Sequence, residues 1–292
     1  MKNTFLSTTA ALALVIGLGA GAANAQDQNN ASLGVVSLNT GFVAATGVQG
    51  TAFAQKASQD VTGVGAIASV DQKNVDGDDD QTNVAALVGA LNVAPVAAVG
   101  AQGNLLVGKA SQSVGAFGAQ ASVDQKNVDS DDDQTNVTVL VGALNTAPVA
   151  ASGLQGNLLV GKASQSVSAG GAGSFVTQTN KQNFGEDDQT NITAGVVAVN
   201  LAPVAASGTQ INLLVGKGTQ TVGASGASVG VTQLNRDTDG TQNNAVLGVG
   251  SANFGPVAAS GLQVNVVGRN FSQSVSAVGS STGVSQTNKF ND

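Results

Sequence analysis

Short acidic clusters are the only places where residue types and spacing could form a metal or acid-base site. Two clusters alternate acidic and other residues, and their candidate ligands are Asp76, Asp78, Asp80, Asp129, Asp131 and Asp133. Carboxylate oxygens suit Ca²⁺, which takes roughly six to eight oxygen ligands. The later clusters are altered, and no EF-hand loop ending in Glu follows. We assign no metal and interpret the clusters as solvated turns that limit sideways association, with calcium binding as the alternative.

The composition excludes most other chemistry. The 292 residues include no His, Cys, Trp or Tyr, so zinc, haem, thiol and Ser-His-Asp sites lack their essential groups. Acidic residues outnumber basic ones by 18 to 11, and no Lys/Arg cluster is present that could bind nucleic acid. The sequence therefore predicts neither an enzyme nor a cofactor, and no nucleic-acid partner.

The first residues have the features of a secretory signal peptide. Lys2 gives the positive start, residues 10–23 are apolar, and Ala23-Asn24-Ala25 forms a small-x-small cleavage site. The apolar run is shorter than the ~20 residues that a membrane span needs. We expect cleavage after Ala25, no membrane span afterwards, and a mature chain that is extracellular or on the cell surface.

The rest of the chain is a tandem repeat. Lys56, Lys109, Lys162, Lys217 and Arg269 begin successive copies, with periods of 53, 53, 55 and 52 residues. A fixed period predicts one stacked object rather than separate domains. We therefore divide the chain into a signal peptide, residues 1–25, and one repeat domain, residues 26–292. Its copies are residues 26–55 (partial), 56–108, 109–161, 162–216, 217–268 and 269–292 (partial).

Each repeat contains four segments in which polar and β-branched residues alternate with period two, which is typical of strands. In one copy they are centred on Gln112, Gln125, Gln134 and Gln155. Every segment carries an amide at a fixed place, and three of the four carry Gln-x-Asn, which puts both amides on one strand face. The predicted set is Gln59, Gln72, Asn74, Gln81, Asn83, Gln102, Asn104, Gln112, Gln125, Asn127, Gln134, Asn136, Gln155, Asn157, Gln165, Gln178, Asn180, Gln189, Asn191, Gln210, Asn212, Gln220, Gln233, Asn235, Gln242, Asn244, Gln263, Asn265, Gln273, Gln286 and Asn288, with Gln28 and Gln49 in the first copy.

These amides have two possible roles. Identical Gln or Asn side chains stacked at ~4.8 Å can hydrogen-bond along a ladder and satisfy one another in a buried interior. Alternatively, they are solvent-facing strand or turn residues. Their recurrence at fixed positions, while neighbouring residues vary, favours the ladder.

Three kinds of turn are predicted between the strands. The acidic clusters form one, Gly-containing segments such as residues 116–119 form a second, and the APVAA or GPVAA motif forms a corner because Pro cannot donate to a strand ladder. The corner prolines are Pro95, Pro148, Pro203 and Pro256. If each repeat made two strand-turn-strand rungs, the stack would be roughly 45 Å long. The lysines are expected to be solvated or to pair with acidic turns of a neighbouring rung.

Several segments resemble repeats of bacterial functional amyloids. Ser164-Gln165-Ser166-Val167 is similar to the ends of a curli repeat, and Val199-Asn200-Leu201-Ala202 and Gln178-Thr179-Asn180 are similar in style to Fap repeats. The resemblance implies a secreted subunit of a curli-like fibre, made of stacked strand-turn-strand units. It also implies partners of the kind those fibres use, a dedicated outer-membrane secretion pore and a minor nucleator subunit.

Together these features predict an all-β fold, a β-solenoid or amyloid-like stack of tandem repeats. The predicted function is self-assembly into extracellular β-rich fibres for biofilm matrix, adhesion or surface coating, with the chain itself as the partner. A monomeric β-solenoid adhesin or surface-layer module that binds calcium is the alternative. An ice-binding solenoid would need regular Thr ranks, and Thr82, Thr135 and Thr190 supply only one Thr per repeat.

Overall fold

The fold is a stack of parallel strands. The structure, a computed structural model, describes residues 11–15, 28–77, 80–130, 133–182, 188–213, 215–237, 241–266 and 270–290. Nearly all of these residues are in strands, and they include no helix that is long and apolar enough to cross a membrane. The predicted all-β stack of repeats is confirmed.

The strands form two sheets. One has the order β1-β2-β4-β6-β9-β12, and the other has the order β13-β10-β7-β5-β8-β11-β14, with β3 paired to β5. Their bounds are β1 (Ala11–Val15), β2 (Gln28–Asn39), β3 (Val43–Gly77), β4 (Gln81–Asn92), β5 (Val96–Ser130), β6 (Gln134–Asn145), β7 (Val149–Asn157), β8 (Val160–Lys181), β9 (Gln189–Asn200), β10 (Val204–Asn212), β11 (Val215–Asp237), β12 (Gln242–Asn253), β13 (Val257–Asn265) and β14 (Asn270–Phe290).

Each repeat makes one coil of the solenoid. Gln81 pairs with Gln134, and Gln134 pairs with Gln189, so strands meet their neighbours one full period away. The described residues form five coils, residues 28–77, 81–130, 134–182, 189–237 and 242–290. Five coils at ~4.8 Å give a stack of about 24 Å. One coil per repeat differs from the two rungs per repeat considered from the sequence. Each described arm pairs with the equivalent arm of a neighbouring repeat, and none pairs with another arm of its own repeat.

A coil consists of four arms, which are the four segments that the sequence predicts. In the third coil the first arm is β6, the second is β7, and the third and fourth are residues 160–170 and 172–181 of β8. The other coils have the same arms at the paired positions. A Pro corner joins the first two arms, and a turn at Leu158 and Leu159 joins the second to the third. The acidic segment that leads to the next coil lies largely outside the described residues.

The arms face one another in pairs, which makes two layers. The first and fourth arms enclose an Ala/Val core that includes Val88, Ala121 and Val141. The second and third arms enclose another that includes Val96, Val114 and Val167. Burying a Val side chain contributes roughly 1.5–3 kcal/mol. Small side chains therefore suffice, because every coil repeats the same thin core.

One predicted turn is wrong. Residues 116–119 stay within the extended chain of β5, and Gly118 is only a kink between the third and fourth arms. A Cβ on Gly118 would overlap Asn145 Oδ1 and lie 2.6 Å from Gly171 O. Glycine is needed here for close approach and not for a turn.

A bulge interrupts every first arm. The stacked residues Gly34, Leu87, Leu140, Gly195 and Gly248 all have positive φ between 56° and 71°. The bulge shifts the alternation by one residue, so two consecutive side chains point outward. In the second and third coils one of them is a leucine in a conformation that favours glycine.

Candidate functional site: the amide ladders and the end coils

Glutamine side chains form three ladders through the stack. Gln125 Nε2 donates to Gln72 Oε1 at 2.8 Å, and Gln178 Nε2 donates to Gln125 Oε1 at 2.9 Å. This ladder continues through Gln233 to Gln286. The second ladder consists of Gln49, Gln102, Gln155, Gln210 and Gln263, and the third consists of Gln59, Gln112, Gln165, Gln220 and Gln273. In all three, each glutamine donates to the glutamine of the preceding coil. In the middle coils these side chains are almost fully buried.

Asparagine ladders run in the opposite sense. Asn83 Nδ2 donates to Asn136 Oδ1 at 3.1 Å, towards the following coil. The same sense holds within Asn30, Asn83, Asn136, Asn191 and Asn244, within Asn74, Asn127, Asn180 and Asn235, and within Asn104, Asn157 and Asn212. The stack therefore has a direction, since the glutamine amides donate towards the preceding coil and the asparagine amides donate towards the following coil.

The amides also tie facing arms together. Asn83 Nδ2 donates to Asn127 Oδ1 at 2.7 Å, and Asn136 Nδ2 does the same to Asn180. Gln125 Nε2 donates to Val137 O of the facing first arm at 3.2 Å. Buried amides with partners both along and across the stack specify the register, because a slip would leave them unpaired.

One predicted column is not a regular ladder. Gln81, Gln134, Gln189 and Gln242 donate mainly to backbone carbonyls of the facing fourth arm, and only Gln189 Nε2 reaches the preceding glutamine, at 3.4 Å. Asn265 pairs with Asn212 in the strand register, but its side chain lies outside the described part of the chain. Asn288 ends its column in the last coil. Asn288 accepts from Asn244 at 2.6 Å and donates to Gln242 O at 2.9 Å.

The tightest ladder was not predicted from the sequence. Asn39, Asn92, Asn145, Asn200 and Asn253 stack with donor-acceptor distances of 2.6 to 2.7 Å. Asn92 Nδ2 also donates to Ala94 O at 2.9 Å and so holds the Pro corner. The signal was present: an Asn stands three residues before each of Pro95, Pro148, Pro203 and Pro256.

The Pro corners are stacked in register. Pro95 O accepts from Val43 N of the preceding coil at 3.0 Å, and Pro148 O accepts from Val96 N at 3.0 Å. Pro203 and Pro256 repeat this bond. The proline carbonyls thus continue the backbone ladder through the corner, and the missing proline N–H costs nothing at these positions.

The two end coils leave ladder groups open. Asn39 Oδ1, in the first coil, is buried without a hydrogen-bond partner, whereas Asn92 Oδ1 accepts from Asn39 in the equivalent place. In the last coil Val275 is 46% exposed, while Val222, its counterpart one coil earlier, is 0% exposed. Both ends therefore lack the coil that would complete them.

β1 pairs with one of these open edges. It lies in the predicted signal peptide and is antiparallel to β2, with Ala11 opposite Asn39 and Val15 opposite Val35. This edge of the first coil is thus able to accept an additional strand.

The calcium candidates are only partly described. Asp78 and Asp131 lie outside the described residues, as do the side chains of Asp76 and Asp129. Asp80 and Asp133 are exposed, and Asp133 Oδ1 accepts from Asp188 N at 2.9 Å. Within the described part of the chain no three acidic residues cluster as metal ligands. The described acidic residues therefore link neighbouring coils through hydrogen bonds from a backbone N–H to a carboxylate.

Charged side chains also stand in columns, one above another in successive coils. Lys56, Lys109, Lys162 and Lys217 form one exposed column, and most of the acidic turns with which they could pair lie outside the described residues. On the fourth arm, burial raises the pKa of the Asp124 carboxyl above its ordinary value of 3.8, and the stacked Asp71 raises it further, while Lys126 lowers it.

Fold and site together define a parallel β-solenoid of five coils, with amide ladders inside and an incomplete coil at each end. The family models, curated proteins and solved structures compared with the chain include no match.

Proposed function

We propose that the chain is the subunit of a secreted, curli-like fibre, and that it polymerises end to end by stacking the first coil of one copy on the last coil of another. The fibre would serve as biofilm matrix, adhesin or surface coat outside the cell. Its work is structural rather than catalytic. A secretion pore and a nucleator belong to the same proposal.

The open ladder groups at the two ends support this. Stacking would let Asn253 Nδ2 of one copy donate to the orphaned Asn39 Oδ1 of the next, as Asn200 donates to Asn253 at 2.6 Å within the chain. In the opposite sense, Gln72 Nε2 of the second copy would donate to Gln286 Oε1 of the first. Since Gln and Asn ladders have opposite polarity, the two unlike ends complement each other, and a head-to-tail contact does not close.

Two exposed valines of the last coil support the same end-to-end contact as the open amides. Val275 and Val284, 46% and 48% exposed in the last coil, stand in columns whose other members include Val222 and Val231, each at most 1% exposed. An added coil would bury both valines against the next copy. Ordinary solenoids cover such edges, and long uncovered edges recruit further strands.

The test is to block one end without disturbing the coil. In the double variant V275K/V284K, two lysines would point into the new interface but remain solvated in the free subunit. The matched control S276K/S285K places lysines on the neighbouring residues, which face outward. We expect the signal-cleaved control to form fibres in negative-stain microscopy, and the blocked variant to stay in small species with an unchanged circular dichroism spectrum.

Two results would contradict the proposal. One is a signal-cleaved wild-type chain that stays monomeric through prolonged incubation with preformed seeds, which would favour a solenoid binding module. The other is a blocked variant that polymerises as fast as its control, since growth would then not use the last coil.

A further inference from the structure

The outer face of the first sheet, formed by β2, β4, β6, β9 and β12, differs from the charged outer faces of the third and fourth arms. These five strands contain no charged residue. Their outward side chains include Leu87 and Leu140, both 48% exposed, Val139 at 44% and Leu247 at 68%. Large contiguous apolar patches on a secreted protein normally mark an interaction surface.

The fourth arms, which cover the other side of the same core, have a different outer face. In the first two coils this face carries the charged residues Asp71, Lys73, Asp124 and Lys126. In the third coil Thr177 stands at the position of Asp124. A parallel sheet with apolar residues on both faces is the pattern of a sheet covered on both sides. The first sheet has that pattern, and among the described residues only its inner face is covered.

Backbone strain lies at the centre of this face. Leu87 and Leu140 both have φ of 56°, while the chain uses Gly34, Gly195 and Gly248 at the same place in the other coils. Holding a leucine in the left-handed region costs roughly 1–2 kcal/mol. A residue kept at such a cost, exposed and in the middle of an apolar face, points to contact with a partner.

The face also complements itself in shape. Beside the two leucine knobs runs an apolar groove whose lining includes Val36, Gly89 and Gly142, and no atom lies closer than 3.9 Å to a Cβ built on either glycine. Knob and groove are two residues apart on the same strand. A two-fold arrangement of two copies would insert each pair of knobs into the other copy's groove.

We propose that a second copy of this chain packs on the outer face of the first sheet, with the two sheets face to face and Leu87 and Leu140 at the centre. Twelve residues at ~3.3 Å across five coils at ~4.8 Å give roughly 950 Å² on each copy, or about 1,900 Å² in total. Specific, stable interfaces bury about 1,200–2,000 Å². Because no charge is desolvated, no ion pair is needed to offset its burial.

A lipid surface fits this face less well. Segments that lie in a membrane interface combine apolar residues with Lys, Arg and Trp. The five strands contain none of these three residue types. A second copy offers the same uncharged and matching surface.

The interface does not depend on end-to-end growth, so it is tested in the end-blocked V275K/V284K chain after signal cleavage. Sedimentation velocity at micromolar concentrations is expected to show a dimer. Adding L87K/L140K, which keeps the backbone strain but places charges in the interface, is expected to weaken dimerisation at least about 100-fold, or roughly 2.7 kcal/mol. Adding T177K/T232K, exposed residues stacked on the fourth arms, should leave the dimer intact.

The variant L87G/L140G guards against misfolding, since glycine is the chain's own residue in three of the five coils. It should retain cooperative unfolding and lose the dimer. An end-blocked chain that is monomeric, or a dimer that L87K/L140K leaves intact, overturns the inference. Flotation of a monomeric chain with phosphatidylcholine vesicles would also overturn it, in favour of a lipid partner. If the wild type forms no fibre but the end-blocked chain dimerises, only the proposed function fails.

Discussion

Gln178 Nε2 donates a 2.9 Å hydrogen bond to Oε1 of Gln125, the residue 53 positions earlier in the chain. The bond joins equivalent atoms of neighbouring coils, so it can be repeated without limit as long as another equivalent coil follows. The glutamines of the three regular ladders have a ladder partner on both sides in the middle coils and on one side only in the end coils. The proposed polymerisation would therefore depend on the end coils.

The amide ladder is expected to tolerate no charge. Gln125 donates to Gln72 and Val137 O and accepts from Thr138 Oγ1 and Gln178. Gln125→Glu removes both donations and buries a carboxylate among acceptors, so we expect a loss of roughly 3–5 kcal/mol in the free energy of unfolding. Gln120→Glu, the same change on the outer side of that strand, should cost less than about 0.5 kcal/mol. Urea unfolding of the end-blocked chain measures both, and equal losses would contradict a buried ladder.

The kink at Gly118 requires the absence of a side chain. Gly118→Ala would push a Cβ against Asn145 Oδ1 and Gly171 O, and overpacking of this kind costs roughly 1–3 kcal/mol. At Gly103 a Cβ would meet nothing within 4 Å, so Gly103→Ala should be neutral or slightly stabilising. Thermal unfolding of the two variants is expected to give opposite or clearly unequal shifts. A neutral Gly118→Ala would mean that the arms are not in this close approach.

Much of the fold follows from the sequence. The fixed period, the two-residue alternation and the recurring amides correctly predict strands stacked one repeat on the next. They do not determine whether one repeat makes one rung or two, because three of its four arms carry Gln-x-Asn, and stacking arm on arm would also align amides.

The turns were harder to predict for a physical reason. The turn between the second and third arms is made by Leu158 and Leu159, with neither Gly nor Pro to mark it. Gly118 has the residue type of a turn, but it serves close packing instead. The bulge at Leu140 has no signal in its own repeat, because leucine normally avoids positive φ, and only the glycines at the equivalent positions of other repeats mark it.

Asp124 is expected to make stability depend on pH. Burial first, and the stacked Asp71 second, hold its pKa above 3.8 in the folded chain, so the unfolded chain ionises at lower pH than the folded one. The resulting penalty is absent below the unfolded pKa, grows as pH rises through the folded pKa, and is complete above it. Asp124→Asn should therefore stabilise the chain near neutral pH and lose that advantage at low pH. Because the group is largely solvated, we expect only about 0.5 kcal/mol. Chemical denaturation at two pH values checks it, and an advantage greater at low pH would contradict the sign.

The lysine column should destabilise the stack by self-repulsion. Lys162 lies in register between Lys109 and Lys217, at ~4.8 Å per coil. Lys162→Glu would replace two repulsions by two attractions and is expected to raise the melting temperature at low salt, with the gain vanishing as salt screens the charges. Asn270→Lys, which would extend the same column beside Lys217, is the opposite control and should lower it. Shifts of the same sign in both variants would show that stacking does not set these interactions.

The most direct test of end-to-end stacking is cryo-electron microscopy of fibres grown from the signal-cleaved chain. The account predicts a strand spacing of ~4.8 Å and one subunit every ~24 Å along each filament, with Asn39 of one copy against Asn253 of the next. A subunit rise near 45 Å, strands that run along the fibre axis, or subunits joined through surfaces other than the first and last coils would contradict it.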